Sequence, residues 1–236
     1  ERNILVNGEV PYDDLYAVSL NRVYTAAEKE RQRDEMGNEL RPVQIEAPRF
    51  ETVTLSGSLF NVSEPLAVYL KEGKNTLRLE AVREPMALDS IRFYQKKDEA
   101  SYAQVSKGYT AGKAAETIHI EGEDAVFTSD KTLYATSDNS SPLNSPVSGS
   151  QIRMNMMGGI NWRSPRQYIE WAFHVPEDGL YSIVIRGKQD YNPGQISSRR
   201  LTIDGEVPFY EANRLEFPYA FRIMFSEMGT RCFSLN

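Results

Sequence analysis

One cysteine, Cys232, and two histidines, His119 and His174, are all the thiol and imidazole this sequence contains. A lone cysteine excludes an internal disulfide, and so few Cys and His residues fall short of the usual structural zinc set. Any metal is therefore expected to be one that prefers oxygen ligands. Positive charge is not in excess either, since 27 Lys and Arg stand against 33 Asp and Glu, for a formal net charge of -6. Nothing in that balance draws a polyanion, and nucleic acid is not an expected partner. No apolar run approaches the roughly 20 residues of a membrane helix, so membrane insertion is not expected. The chain opens on Glu1-Arg2-Asn3, with neither a basic start nor an apolar signal segment. That leaves a cytosolic protein, or one whose targeting segment has been removed. A Gly-x-Ser-x-Gly elbow, a phosphate loop and a His-rich metal motif are also missing. His119 lies between Ile118 and Ile120, and His174 between Phe173 and Val175. Both read as outward-facing strand residues rather than bases, and no enzyme is expected. Counting carboxylates neither supports nor removes an acidic pair for glycoside hydrolysis.

What is present is alternation. The chain of 236 residues is 40% apolar and 11% aromatic, enough for one ordinary core or two small ones. Apolar residues recur at every second position in Ile4-Leu5-Val6, Val53-Thr54-Leu55, Leu66 to Leu70, Thr76 to Glu80, Ile118-His119-Ile120, Tyr168 to Phe173, Tyr181 to Ile185 and Leu201-Thr202-Ile203. With Gly, Pro, Asn or Asp at their ends, these predict strands and an all-β sandwich. Trp171, alternating with Ile169 and Phe173, is expected in the core. Ala26 to Arg33 has helix formers in sequence but is short and evenly charged, which predicts a surface excursion.

An internal repeat is the most informative feature. Ile4-Leu5-Val6-Asn7-Gly8-Glu9-Val10-Pro11-Tyr12 returns as Leu201-Thr202-Ile203-Asp204-Gly205-Glu206-Val207-Pro208-Phe209. The same offset carries Asp14 onto Glu211, Leu20 onto Phe217 and Tyr24 onto Phe221. One period thus spans nearly the whole chain, as in a window cut across two tandem domains rather than a solenoid of short modules. The polar, small-residue stretch from Lys96 to Glu116 reads as a linker. The expected organisation is a closing portion of one repeat over 1-96, a linker over 97-115 and an opening portion of the next over 116-236. Cys232 is expected to be an incidental thiol. Met224 to Asn236, without clear alternation after Phe221, reads as a truncation.

The second piece carries Ile120-Glu121-Gly122-Glu123-Asp124-Ala125, Gly158-Gly159-Ile160-Asn161-Trp162, Tyr168-Ile169-Glu170-Trp171, Val175 to Tyr181 and Arg186-Gly187-Lys188, in that order. The first piece ends in Tyr69 to Leu79, with its Gly73-Lys74-Asn75 turn, followed by Leu88-Asp89-Ser90-Ile91. These resemble, respectively, the front and closing strands of carbohydrate-binding modules of the family 6 and 35 kind. The resemblance implies a β-jelly roll of the galactose-binding-like class, with its parts in reversed order. Neither piece would then be complete, since each leaves strand edges unpaired. Residues 1-96 and 116-206 are expected to combine into one jelly roll, either as a circular permutant within one chain or by swapping in a homodimer.

The resemblance further implies an extracellular or cell-surface bacterial protein that binds a poly- or oligosaccharide without catalysis. The competing expectation is a structural or protein-interaction β-sandwich. Sugar binding calls for aromatic faces with polar side chains beside them. The candidates are Trp162 with Asn161 and Arg163 in a Gly-rich loop, Tyr191 with Asn192 in the next loop, and Tyr134 in a Ser/Asn-rich loop. The alternative role for Trp162 is a packing lid under its loop. Glu121 and Glu123, two apart on an expected strand, place both carboxylates on one face. In the resembled family the acids of this strand and of the Leu-Asp-x-Ile strand, here Asp89, hold a structural Ca²⁺.

Overall fold

A computed structural model describes residues 1-57, 65-95, 98-109, 117-227 and 233-234. Cys232 and, within the expected linker, Lys96, Gly112 and Lys113 lie outside them. The described chain is all-β, built from antiparallel sheets with little helix. It divides into two compact units, each drawn from several stretches of sequence.

The first unit comprises Glu1–Val53, Val68–Met86 and Thr117–Val175. Strand β1 (Arg2–Val6) pairs with β4 (Leu77–Ala81), with Ile4 opposite Leu79 and Val6 opposite Leu77. Strands β2 (Tyr24–Ala26) and β3 (Gln44–Glu46) join β5 (Phe127–Thr128) and β6 (Ile169–Glu170) in a four-stranded sheet of order β3-β2-β5-β6. Period-two alternation explains β1, whose Arg2, Ile4 and Val6 are buried while Asn3 and Leu5 are half-buried. With Leu15, Val18, Val23, Leu133, Ala135 and Met154 these form the apolar core of the unit.

The second unit comprises Thr54–Ala67, Ala87–Glu116 and Pro176–Asn236. It holds α1 (Tyr102–Val105), a sheet of β7 (Val184–Gln189), β10 (Ala220–Glu227) and β11 (Phe233–Ser234), and the hairpin of β8 (Ile196–Arg199) with β9 (Leu215–Pro218). The stretch expected as a linker is in part tied down here. Ser101 and Gln104 form a capping box at α1, Tyr102 donates its backbone N–H to Glu211, and its ring meets Phe209 edge-on at 5.2 Å.

The two copies of the repeat fold alike. Asn7-Gly8 and Asp204-Gly205 are two-residue turns with both central residues at positive φ, the type I′ geometry that Asn-Gly and Asp-Gly favour. Val6 bridges Glu9 as Ile203 bridges Glu206, and Arg2 bridges Val18 as Arg199 pairs with Leu215. The 3-10 turn Asp13–Leu15, with Leu15 buried, recurs as Tyr210–Asn213 with Ala212 buried.

Several expected strands do not form. Val53 to Leu55, Leu66 to Leu70, Leu88 to Ile91 and Ile118 to Ile120 are irregular, although Ser56 and Pro65 form an isolated bridge. The run from Tyr168 to Phe173 shrinks to β6, and Tyr181 to Ile185 starts pairing only at Val184. Conversely β10, with eight residues, continues well past Phe221, where the sequence shows no alternation. Its partners β7 and β11 supply the backbone bonds that its side-chain pattern does not advertise. Trp171 is half-buried rather than core, its indole N–H donating to the Gly122 carbonyl at 2.9 Å.

Candidate functional site

Glu121, Gly122, Glu123 and Asp124 do not continue a strand. Gly122–Asp124 is a 3-10 turn that starts after Glu121, so the two glutamates are not strand neighbours sharing one face. The glycine between them is the physical reason, since it weakens a strand interior and admits a bend. The turn sends Glu123 inward, where its side chain is 1% exposed. Both of its carboxylate oxygens are buried without a hydrogen-bond partner among the described residues.

Glu123 lines an open cleft of ≈ 420 Å³ in the first unit. Lys29, Arg31 and Arg33 reach it from the charged excursion, and Glu39, Glu121 and Asp124 also line it. Arg31 Nη2 is committed to Asp124 Oδ1 at 2.6 Å and stands 3.7 Å from Glu123 Oε1, beyond hydrogen-bond reach. Burial raises the Glu123 carboxyl above its ordinary value, its own backbone N–H and Arg31 oppose this, and Glu121 and Asp124 add to the rise. Glu39 shifts the other way. Burial would raise it, but the Met154 N–H at 2.8 Å and Arg33 at 3.2 Å outweigh that and hold it below its ordinary value. The cleft thus sets the unsatisfied Glu123 carboxylate among bonded ones, Glu39, Glu121 and Asp124, and cationic donors. Such a set accepts from hydroxyls and donates to ring or carbonyl oxygens.

The Trp162 loop is a separate, internally braced feature of this unit. Gly158 at φ 92 turns the chain so that the indole lies across its Cα. The indole N–H donates to the Gln167 carbonyl at 3.2 Å. Gln167 Oε1 accepts the backbone N–H groups of Arg163 and Ser164, and its Nε2 donates to Asp130. Asn161 donates to the Thr132 carbonyl at 3.3 Å. Asp130 sits below its ordinary value: burial opposes that, but two bonds from Thr132 and one from Gln167 prevail. Trp162 is half-buried, with Asn161 and Arg163 exposed beside it. Tyr134 offers less, because the Arg41 guanidinium covers its ring at 3.8 Å.

Tyr191 and Asn192 belong to the second unit, in the β7–β8 turn. Tyr191 is exposed, and buried Gln189 closes the turn by donating to the Gln195 carbonyl and accepting the Asn192 N–H. The calcium candidates are divided in the same way, with Glu121 and Glu123 in the first unit and Asp89 in the second. Among the described residues no group of three or more His, Cys, Asp or Glu is placed to hold a metal ion. Sequence reasoning missed Arg31, Arg33 and Glu39. The only signal for them was the density of alternating charge from Glu28 to Arg33. The chain matches no protein-family model, no curated protein and no solved structure.

Proposed function

We propose that this chain is a non-catalytic carbohydrate-binding module of the galactose-binding-like jelly-roll class, from an extracellular bacterial protein, and that it takes a poly- or oligosaccharide. The observation that carries this reading is Glu123. A buried carboxylate with two unpartnered oxygens is costly unless a ligand supplies donors, and neighbouring sugar hydroxyls supply two. Lys29 lines the same cleft and can serve a remaining oxygen, while Arg31 and Arg33 hold Asp124 and Glu39 in place. The braced Trp162 loop suits a sugar face, because its indole N–H is already satisfied and only ring surface is left to offer.

A glycan array with calcium present, run on the wild type and on Glu123→Gln, tests the reading. The wild type is expected to give specific hits and Glu123→Gln to lose them. The raised Glu123 value means that the folded state favours the protonated form. The ionised group therefore costs stability above that value, and the cost fades as pH falls through it. Glu123→Gln is accordingly expected to raise the melting temperature at neutral pH while it abolishes retention. A blank array from folded wild type overturns the glycan reading.

Calcium belongs to the proposal as a structural ion at Glu121 and Glu123 of the first unit, without Asp89, which lies in the second. It has to compete with Arg31, which already brings positive charge to Glu123 and Asp124. Added calcium should raise the melting temperature, and an identical value with and without chelator removes the ion from the proposal.

The second reading, a structural or protein-interaction β-domain, is favoured by one observation in the second unit. Leu88, Ile91, Phe93 and Tyr94 lie exposed in a stretch that forms no strand.

A further inference from the structure

The cleft at Glu123 carries an excess of negative charge. Glu30 also lines it, so five carboxylates face three cations. Two of those cations are already committed, Arg31 to Asp124 at 2.6 Å and Arg33 to Glu39 at 3.2 Å. Pairing these off leaves Lys29 against Glu30, Glu121 and Glu123. Glu121 has the His119 ring nitrogen at 3.0 Å. Glu123 is the buried acid of the set whose two oxygens both lack a hydrogen-bond partner among the described residues.

The chain itself shows what kind of group this place accepts. Arg31 Nη2 stands 3.7 Å from Glu123 Oε1, near enough for charge attraction and too far to donate a hydrogen bond. Both Glu123 oxygens are shut off from solvent, so an incoming group reaches them by taking over the position that this guanidinium holds. Arg31 can yield it, because its hydrogen bond is to Asp124 and its side chain is 31% exposed. A guanidinium is a wide rigid fork, whereas a primary ammonium is a compact charge with three donors. Two of those donors match the two unpartnered oxygens, and the charge favours the ionised carboxylate that burial opposes.

We infer that the ligand of this cleft is an amino sugar, an oligosaccharide of hexosamine units whose free ammonium docks on Glu123 in place of Arg31. The inference rests on the glycan reading above and names the class of sugar within it. A neutral sugar brings hydroxyls to the same carboxylate but leaves the negative excess uncompensated, and a uronic acid adds to that excess.

The test is isothermal titration of the full chain with three β-1,4-linked tetrasaccharides that differ only at C2: glucose, N-acetylglucosamine and glucosamine. Mildly acidic buffer keeps the amines protonated, and a chelator removes calcium, which would compete for Glu123. The glucosamine tetramer is expected to bind about tenfold tighter than either neutral one. Glu123→Gln should erase that preference. Arg31→Gln removes the competing guanidinium, and should tighten the glucosamine tetramer by about threefold while leaving the neutral pair unchanged. This second variant tests the site by a gain rather than a loss. Equal affinity for the three tetramers overturns the amino-sugar inference and leaves the glycan reading in place. Tetralysine binding as tightly as the glucosamine tetramer would assign the preference to net charge alone and overturn the inference as well. Folded chain that binds no tetramer and gives a blank array overturns both.

Discussion

Glu39→Ala is expected to destabilise the first unit by about 2–4 kcal/mol, the sum of a charge-assisted hydrogen bond and the volume left empty. Glu39 is 5% exposed, and its carboxylate takes the backbone N–H of Met154 at 2.8 Å. Truncation strands that N–H in a buried place. It also removes the counter-charge for Arg33, but Arg33 is 57% exposed, so the ion pair itself adds little. The cost therefore lies in the Met154 bond rather than in the salt bridge. This can be checked, because Arg33→Ala should cost well under half as much. The pH dependence follows from the direction of the shift. Glu39 is held below its ordinary value of 4.5 when folded, so its contribution is fully present above that value. It is lost as pH falls through the lower, folded value. Urea titrations of wild type and Glu39→Ala should therefore differ most near neutrality and draw closer in strong acid, where the cost of the lost volume remains. A gap that does not change with pH would contradict the role given to the carboxylate.

Gly158→Ala should also cost about 2–4 kcal/mol, by a different route. At φ 92 an L side chain is strained, which alone costs about 1–3 kcal/mol. The added methyl would also lie 3.0 Å from Trp162 Cε3 and 3.3 Å from Trp162 Cβ. The second contact is near the root of the side chain, so rotating the ring cannot relieve it. Gly8→Ala is a comparison at φ 89 with nothing within 4 Å of the new methyl, although its turn geometry differs from the ψ of −97 at Gly158. It carries strain without the clash. The difference between the two variants isolates the Trp162 contact, and tryptophan emission in a Trp171→Phe background should move only for Gly158→Ala. Equal destabilisation and unchanged emission would mean that the indole does not rest on Gly158.

Where sequence and structure part, the reason is partner availability. Ile4 to Val6 and Thr76 to Glu80 alternate and find each other, so both were legible. Leu66 to Leu70 alternates as well, yet among the described residues its pairing stops at Leu66, which donates to the Leu55 carbonyl beside the Ser56–Pro65 bridge. Alternation records that a segment suits a half-buried sheet, and a sheet needs a second strand that the segment does not encode. The repeat was legible down to its turn because Asn-Gly and Asp-Gly fix backbone geometry locally. The cleft was not. Arg31 meets Asp124 across 93 residues, and Glu39 meets Met154 across 115. No local pattern in Ala26 to Arg33 announces either meeting. Glu121 and Glu123 are legible as a pair but not as a turn, because their spacing suits a strand and only the glycine between them admits the bend. Trp162 was legible as a loop aromatic, and the backbone geometry at Gly158 that seats it was not.

The two copies of the hairpin, one in each unit, also bear on cooperativity. Leu5 and Thr202 hold the same place in one motif, Leu5 opposite Arg78 of β4 in the first unit and Thr202, exposed, in the second. The free energy needed to open each copy locally is therefore different, and their amides exchange with solvent at different rates. Two-state bookkeeping is then expected to apply to each unit separately, and calorimetry should show two steps. A melting temperature for this protein is the property of one of those steps. The values expected for Glu123, Glu39 and Gly158 variants all belong to the step that dismantles β1 and its sheltered edge.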